Sequence, residues 1–253
     1  MSRTEQSPPR PLRVVSYNLH KLSDDPAALR TVISALRPDV LVAQEGTPRL
    51  RWRPIAAKLA RDCGLTYVSG GWNAAGTMIL CSLRVDVTGS FVEQFPVPRF
   101  VQRRGVVGVS VEAVGLRLAV LGIHLDLDEN RRLVHAGRLM AAAESFAGVA
   151  GVPIVIAADT NELPGAACWQ LMRAGGLVDA AGTDDSPTFP ASWPRARIDA
   201  VLVPPAVRVV GYAVGAAALP AAVDPGLLAR ASDHLPVVVD LLPGQPADAR
   251  AVA

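Results

Sequence analysis

Short apolar runs in this chain end, one after another, in a residue that can ligate a cation or carry a proton. Asn18 closes LRVVSY, Glu45 closes VLVAQ, His124 closes LAVLGI, and Asp159 closes IVIAA with Asn161 two positions on. Asp199 stands in RIDAVLV, and Asp233-His234 precede the run LPVVV. Any one of these is an ordinary turn residue, since Asp and Asn are common where strands stop. The ordered series is harder to dismiss. Polar groups at strand exits gather along one rim of a sheet, where a cleft can hold an ion and move a proton.

The elements that would position them follow from hydrophobic spacing. Apolar runs predict strands at 12–17, 40–43, 78–81, 106–114, 116–123, 154–158, 198–203, 207–214 and 237–241. Asp25-Pro26 starts a helix whose Leu29, Val32, Ile33 and Leu36 form an apolar stripe. Further helices are expected at 54–63 and 129–146. Many strands with a few helical crossovers suggest an α/β four-layer sandwich: two mixed sheets packed face to face, helices outside. One domain is expected over 13–242, after a Pro-rich leader (1–12) and before a frayed tail (243–253).

The segments VVSYNLH (14–20), VAQE (42–45), GIHLD (122–126), IAADTNELP (156–164), RIDAVLV (197–203) and SDHLPV (232–237) occur in the order found in the endonuclease/exonuclease/phosphatase family, which this chain resembles from about residue 13 to 241. The resemblance implies a DNase I-like fold and a metal-dependent phosphoesterase. Glu45, beside the amide oxygen of Asn18, would supply hard oxygen donors suited to Mg²⁺, with Mn²⁺ as a substitute; Mg²⁺ keeps most of its waters and needs few protein ligands. By the same resemblance Asp159 orients and deprotonates the attacking water, and Asn161 holds phosphate or metal. Asp159 and Asn161, one residue apart, would face one side of an extended segment. Asp199 and His234 look like a carboxylate–imidazole pair, which would favour the imidazolium, and Asp233 would touch the metal or its waters. Which of Asp159 and His234 is the base stays open. His124 would donate to a phosphate oxygen. His20 divides between a phosphate contact and a solvated loop. Arg104 and Arg132 either support the site or are ordinary surface arginines, and His135 is expected at the surface. Trp72 and Trp193 are expected in the core or a pocket wall. Where many members carry Gly-Asn-Ala, this chain has Gly76-Thr77-Met78, which puts a substrate contact in doubt.

Composition narrows the partners. Lys plus Arg is 25 against 23 for Asp plus Glu, so the net charge of +2 does not announce a nucleic-acid binder. A nuclease would need a basic rim, with Arg99, Arg103, Arg104, Arg131, Arg132 and Arg138 as candidates. Aromatics make up only 5%, which leaves few stacking platforms for a strand or a flipped base. A phosphate ester is therefore the expected partner, nucleic acid being the alternative, and a silent binding module a further one. Three widely spaced cysteines suggest neither a disulfide framework nor a zinc site. The lack of an apolar leader or a long apolar run predicts no membrane span and a cytoplasmic protein, by default a monomer. Substrate choice would rest on loops near 46–53, 70–77, 95–104, 183–197 and 215–231.

Overall fold

The computed structural model describes residues 10–46, 50–96 and 102–244. Most of the expected leader and tail, together with Arg99, lie outside the described residues. The first sheet comprises β1 (Leu12–Asn18), β2 (Val40–Gln44), β3 (Thr66–Gly70), β4 (Met78–Cys81), β11 (Val207–Val214) and β12 (Val237–Pro243), in the order β11-β12-β1-β2-β4-β3. The second comprises β5 (Asp86–Gln94), β6 (Gly105–Ala113), β7 (Leu116–His124), β8 (Ile154–Asp159), β9 (Val178–Asp179) and β10 (Asp199–Val203), in the order β5-β6-β7-β8-β10-β9. Helices α1 (Pro26–Leu36), α2 (Trp52–Asp62) and α5 (Leu227–Ala231) pack with the first sheet, and α3 (Glu129–Ala150) and α4 (Ala167–Ala174) with the second. This is the expected four-layer sandwich.

Side-chain parity decides what each face carries. In β7, Leu118 and Val120 pack toward the first sheet while Ala119, Leu121 and Ile123 meet the helices; in β8, Val155 and Ala157 point inward while Ile156 and Ala158 point out. With a period of two, His124 and Asp159 continue the inward rows. Asp199 continues the inward row of Val201 and Val203 in the same way. The sheets approach closely beside this edge: a Cβ on Gly122 would lie 2.4 Å from Val42 Cγ1 of the opposite sheet. A side chain there would force the layers apart.

Helix starts follow their sequence signals. Asp25 Oδ1 accepts from the N–H groups of Ala27 and Ala28, ahead of Pro26 in the first turn of α1. Asp128 Oδ1 accepts from Arg131 N–H at the start of α3, and Gly151 closes that helix at φ +63°. Five elements have no counterpart among the sequence expectations: β3, β5, β9, α4 and α5. β5 is a mostly exposed edge strand with a polar face, while β9 and α5 are two and five residues long; none offers a long apolar period. Cys63, Cys81 and Cys168 are free thiols. Burial pushes them up to about 11, 12 and 12 respectively, as expected of small apolar fillers. Among the described residues no helix is long and apolar enough to cross a membrane.

Candidate active site

Strand direction brings the polar residues together. β1 and β2 run parallel, with Asn18 opposite Gln44, so Asn18 and Glu45 leave the first sheet at one edge. β12 is antiparallel to β1 and starts at that edge, just after Asp233-His234. In the second sheet His124 pairs with Asp159 across parallel β7 and β8, and Asp159 pairs with Asp199 across antiparallel β8 and β10. Asn18 Nδ2 donates to Asp159 Oδ2 at 2.8 Å and joins the two rows from opposite sheets.

Asp159 is the centre. Its Oδ1 accepts from Asn161 N–H at 3.1 Å, and its Oδ2 lies 3.3 Å from His124 Nε2 and 3.8 Å from His234 Nε2. Asn161 is in a left-handed turn (φ +50°) and not in an extended segment; the Asx turn, rather than strand alternation, returns it to the site. Its Nδ2 donates both to the Leu125 carbonyl and to His124 Nε2, each at 2.9 Å. That arrangement makes Nε2 an acceptor and leaves the His124 proton on Nδ1, which is buried without a hydrogen-bond partner and points toward Glu45 Oε1 at 3.7 Å.

The two histidines beside Asp159 are in opposite charge states. Burial drives His124 down to about 4, more than the neighbouring Asp159 can offset, so the ring is neutral. Burial pulls His234 down as well, but Asp199, bonded to Nδ1 at 2.9 Å, together with Asp159 and Asp233, overcomes it and raises the ring to about 9. His234 is therefore an imidazolium at neutral pH. Asp159, Asp199 and His234 also offer donor atoms within 4.8 Å of one another, close enough to hold a metal ion.

The profile of the Endonuclease/Exonuclease/phosphatase family matches residues 15–234. The chain belongs to this family. Members are hydrolases of phosphate esters. Solved structures with the same fold include a mannosyl-6-phosphatase from Bacteroides thetaiotaomicron, at 18% identity and TM-score 0.73 over 91% of this chain and 99% of that one. A family protein from Beutenbergia cavernae is 25% identical, with TM-score 0.67 over 93% of this chain and 72% of that one. TDP2 from D. rerio, complexed with a single-strand DNA product, is 18% identical, with TM-score 0.68 over 91% and 98%. No curated protein sequence matches the chain.

Within this family frame, the remaining expected site residues fall into two groups. Asn18 holds Asp159 through its nitrogen, and its Oδ1 already accepts from His20 N–H at 3.0 Å, leaving one lone pair free. Glu45 sits at φ +49° after β2, and the Gly46 N–H bond to the Gly76 carbonyl at 2.8 Å fixes the following residue. Arg104 is buried, its Nε lacks a hydrogen-bond partner, and its charge interacts with Asp126, Asp159 and Glu45; burial holds its pKa below the usual guanidinium range. Asp233 and His20 lie at the rim: His20 Nδ1 bonds Asp24 at 2.7 Å, and its Nε2 is 3.8 Å from Asp233 Oδ2.

Of the nine non-glycine residues at positive φ among those described, four lie in or beside this site: His20, Lys21, Glu45 and Asn161. Backbone strain of this kind concentrates where function fixes a geometry. The sequence gives no sign of Lys21 as a participant, yet its ammonium lies 3.8 Å from Glu45 Oε2. It also hides the role of Ser232, whose Oγ donates to the Asn18 carbonyl at 2.7 Å and accepts from His234 N–H at 3.2 Å.

Two expectations are corrected and one open alternative is decided. His135 is buried against Phe95, with ring centroids 5.2 Å apart, because α3 turns that face to the second sheet. Trp193 is 75% exposed. Arg132 is no surface arginine: its Nε bonds Glu162 at 3.0 Å, and its Nη1 bonds the Asp126 and Leu127 carbonyls at 2.8 and 3.0 Å. Glu162 in turn accepts from Cys168 N–H, so this pair anchors α4 and the strand exits at His124 and Asp159. Arg132→Ala strands a buried carboxylate and should cost about 3–5 kcal/mol of stability. Urea unfolding measures this, and a loss close to zero would show that water satisfies Glu162.

Proposed function

We propose that this chain is a Mg²⁺-dependent phosphoesterase in which Asp159 is the general base and His234 the cation that steadies the phosphoryl group. The observation that carries the proposal is the placement of two unlike histidines around the Asp159 carboxylate, His124 buried and bonded by the Asn161 amide, His234 bonded through Nδ1 to Asp199, which pushes their pKa values apart as acid–base pairs require. A protonated His234 has no free lone pair for a proton, so the base role passes to Asp159. Its two oxygens are oriented by Asn18 and by the Asn161 N–H toward a water attacking in line with the leaving oxygen. His234 donates from Nε2 to a non-bridging oxygen as negative charge grows there. Neutral His124 and Asn161 line the opposite side, and Arg104 adds fixed positive charge.

The donor set fits a hard divalent ion. Glu45 brings a carboxylate whose nearest positive neighbour among the described residues is the exposed ammonium of Lys21 at 3.8 Å, and Asp199 Oδ1 is buried without a hydrogen-bond partner among them. Ligating histidines must be neutral, which favours Glu45, supported by the free lone pair of Asn18 and by Asp233, over a cage built on His234. Bound there, Mg²⁺ or Mn²⁺ neutralises phosphate charge and stabilises the leaving oxygen.

A small ester suits the surface better than a nucleic acid. Of the candidate basic rim, Arg131 pairs with Asp126 at 3.1 Å, Arg132 is buried on Glu162, and Arg138 faces Glu93 at 4.0 Å. Charge already paired with acids releases few counterions on meeting phosphates. Bis-p-nitrophenyl phosphate, p-nitrophenyl phosphate and supercoiled plasmid, each with Mg²⁺, Mn²⁺ or EDTA, test the reading. Metal-dependent hydrolysis of the small esters is expected. Plasmid cleavage with a steep salt dependence would favour the nuclease, and metal binding without turnover would favour the silent binding module. Glu45→Ala should weaken metal binding by at least the about 10–100-fold that outer-shell changes cost, with activity partly restored at high Mg²⁺. Unchanged metal affinity, measured by calorimetry, would remove Glu45 from the ligand set.

A further inference from the structure

The loop spanning residues 188–197 is fastened to the catalytic residues at both ends. Buried Thr188 accepts through Oγ1 from the Ile198 and Asp199 N–H groups at 3.1 and 3.2 Å, and its carbonyl accepts from Leu235 N–H at 2.7 Å. The Phe189 ring lies 4.8 Å from the His234 ring. Ala191 N–H donates to the Asp233 carbonyl at 2.6 Å. On the return path Ala196 N–H bonds the Phe189 carbonyl at 2.9 Å, and Arg197 is clamped by Asp179 at 2.8 Å and Asp185 at 3.2 Å. Pro190 and Pro194 stiffen the tip, since each ring fixes its own φ.

At that tip stands Trp193, the one exposed aromatic side chain among the described residues. Its Cα is two residues from Ala191 and thus within about 7.6 Å of the residue bonded to Asp233, so the loop presents Trp193 close to its own attachment beside His234. Exposed Arg195 follows two residues later. A groove of about 450 Å³ joins Arg195 to Leu163 and Pro164, just past Asn161.

We infer that Trp193 is the stacking platform for a flat ring on the alcohol part of the substrate, with Arg195 offering a cation beside it. The substrate class is then a ring-bearing phosphate ester, aromatic or sugar. A large apolar face held rigidly in water beside a phosphoryl site is suited to a ring, and stacking asks only for a flat face. A single platform fits one ring, whereas strand binders line up several.

The inference rests on the phosphoesterase reading, and two arms keep their failures apart. In the kinetic arm, Trp193→Ala should raise KM for aryl and sugar phosphates about tenfold more than for glycerol phosphate, with Trp193→Phe retaining most of the preference. The aryl and sugar panels distinguish the two ring types. In the binding arm, an uncleaved ring-bearing ester should quench the indole fluorescence of the Asp159→Asn protein and lose most of that quenching in Asp159→Asn/Trp193→Phe. Equal KM shifts for cyclic and acyclic esters, or quenching indifferent to Trp193, would overturn the platform while leaving hydrolysis intact. Absence of hydrolysis with quenching preserved would instead overturn the reaction and keep the subsite.

Discussion

Asp159→Asn should lower kcat by about 10²–10⁴-fold, the usual reach of a general acid–base group, with little change in KM. The substitution is nearly isosteric and removes the capacity to take a proton, along with one acceptor oxygen and a charge that helps hold His234 protonated. An amide oxygen can still accept from Asn18 Nδ2, which lies 2.8 Å from the present carboxylate, so the cross-sheet bond need not be lost. Thermal unfolding should therefore stay close to wild type, and the lost rate belongs to chemistry. A kcat near the wild-type value in a folded Asp159→Asn protein would sink the assignment of the base.

His234→Ala is expected to cost a similar about 10²–10⁴-fold in kcat, and Asp199→Asn a smaller loss with a distinct pH signature. With His234 raised from 6.5 to about 9, the imidazolium is present across neutral pH and lost on the alkaline side. Removing the Asp199 charge lowers that pKa and moves the alkaline limb of the rate profile toward acid. The linkage has the same sign. A raised folded-state pKa contributes stability that is fully present below pH 6.5 and disappears as pH rises through about 9. The stability gap between wild type and Asp199→Asn should accordingly narrow as pH climbs. Imidazole NMR titration of the EDTA-treated protein reads His234 directly. A ring titrating near 6.5 in wild type would break the argument that Asp159 is the base.

Much of this arrangement is readable from the chain. Long apolar runs ending in Asn18, Glu45, His124 and Asp159 give both the strands and the rim they share, because buried parallel strands have nothing else to interrupt them. The pair Asp199–His234 is legible because a carboxylate and an imidazole recur in fixed motifs. Edge strand β5 and the short β9, α4 and α5 are not, since their stability comes from neighbours and not from their own period. The imidazolium of His234 follows from its expected pairing with Asp199, whereas the neutrality of His124 is invisible in sequence. Both depend on what surrounds each ring: burial in one case, the carboxylate of Asp199 in the other. His135 misleads because a polar residue on a long helix reads as solvated until the opposing strands are placed. Trp193 misleads in the other sense, as indoles are usually covered.

The Asn18–Asp159 bond links residues 141 positions apart and lying in different sheets. Neither layer holds a complete reaction centre by itself. During refolding, catalytic rate would thus be the last signal to return, behind the far-ultraviolet circular dichroism of either half, because it waits on the docking of one sheet against the other. Enzyme turnover becomes a clock for the final step of assembly. A proteolytic nick that loosened the sandwich while sparing every strand would silence the protein before it unfolded.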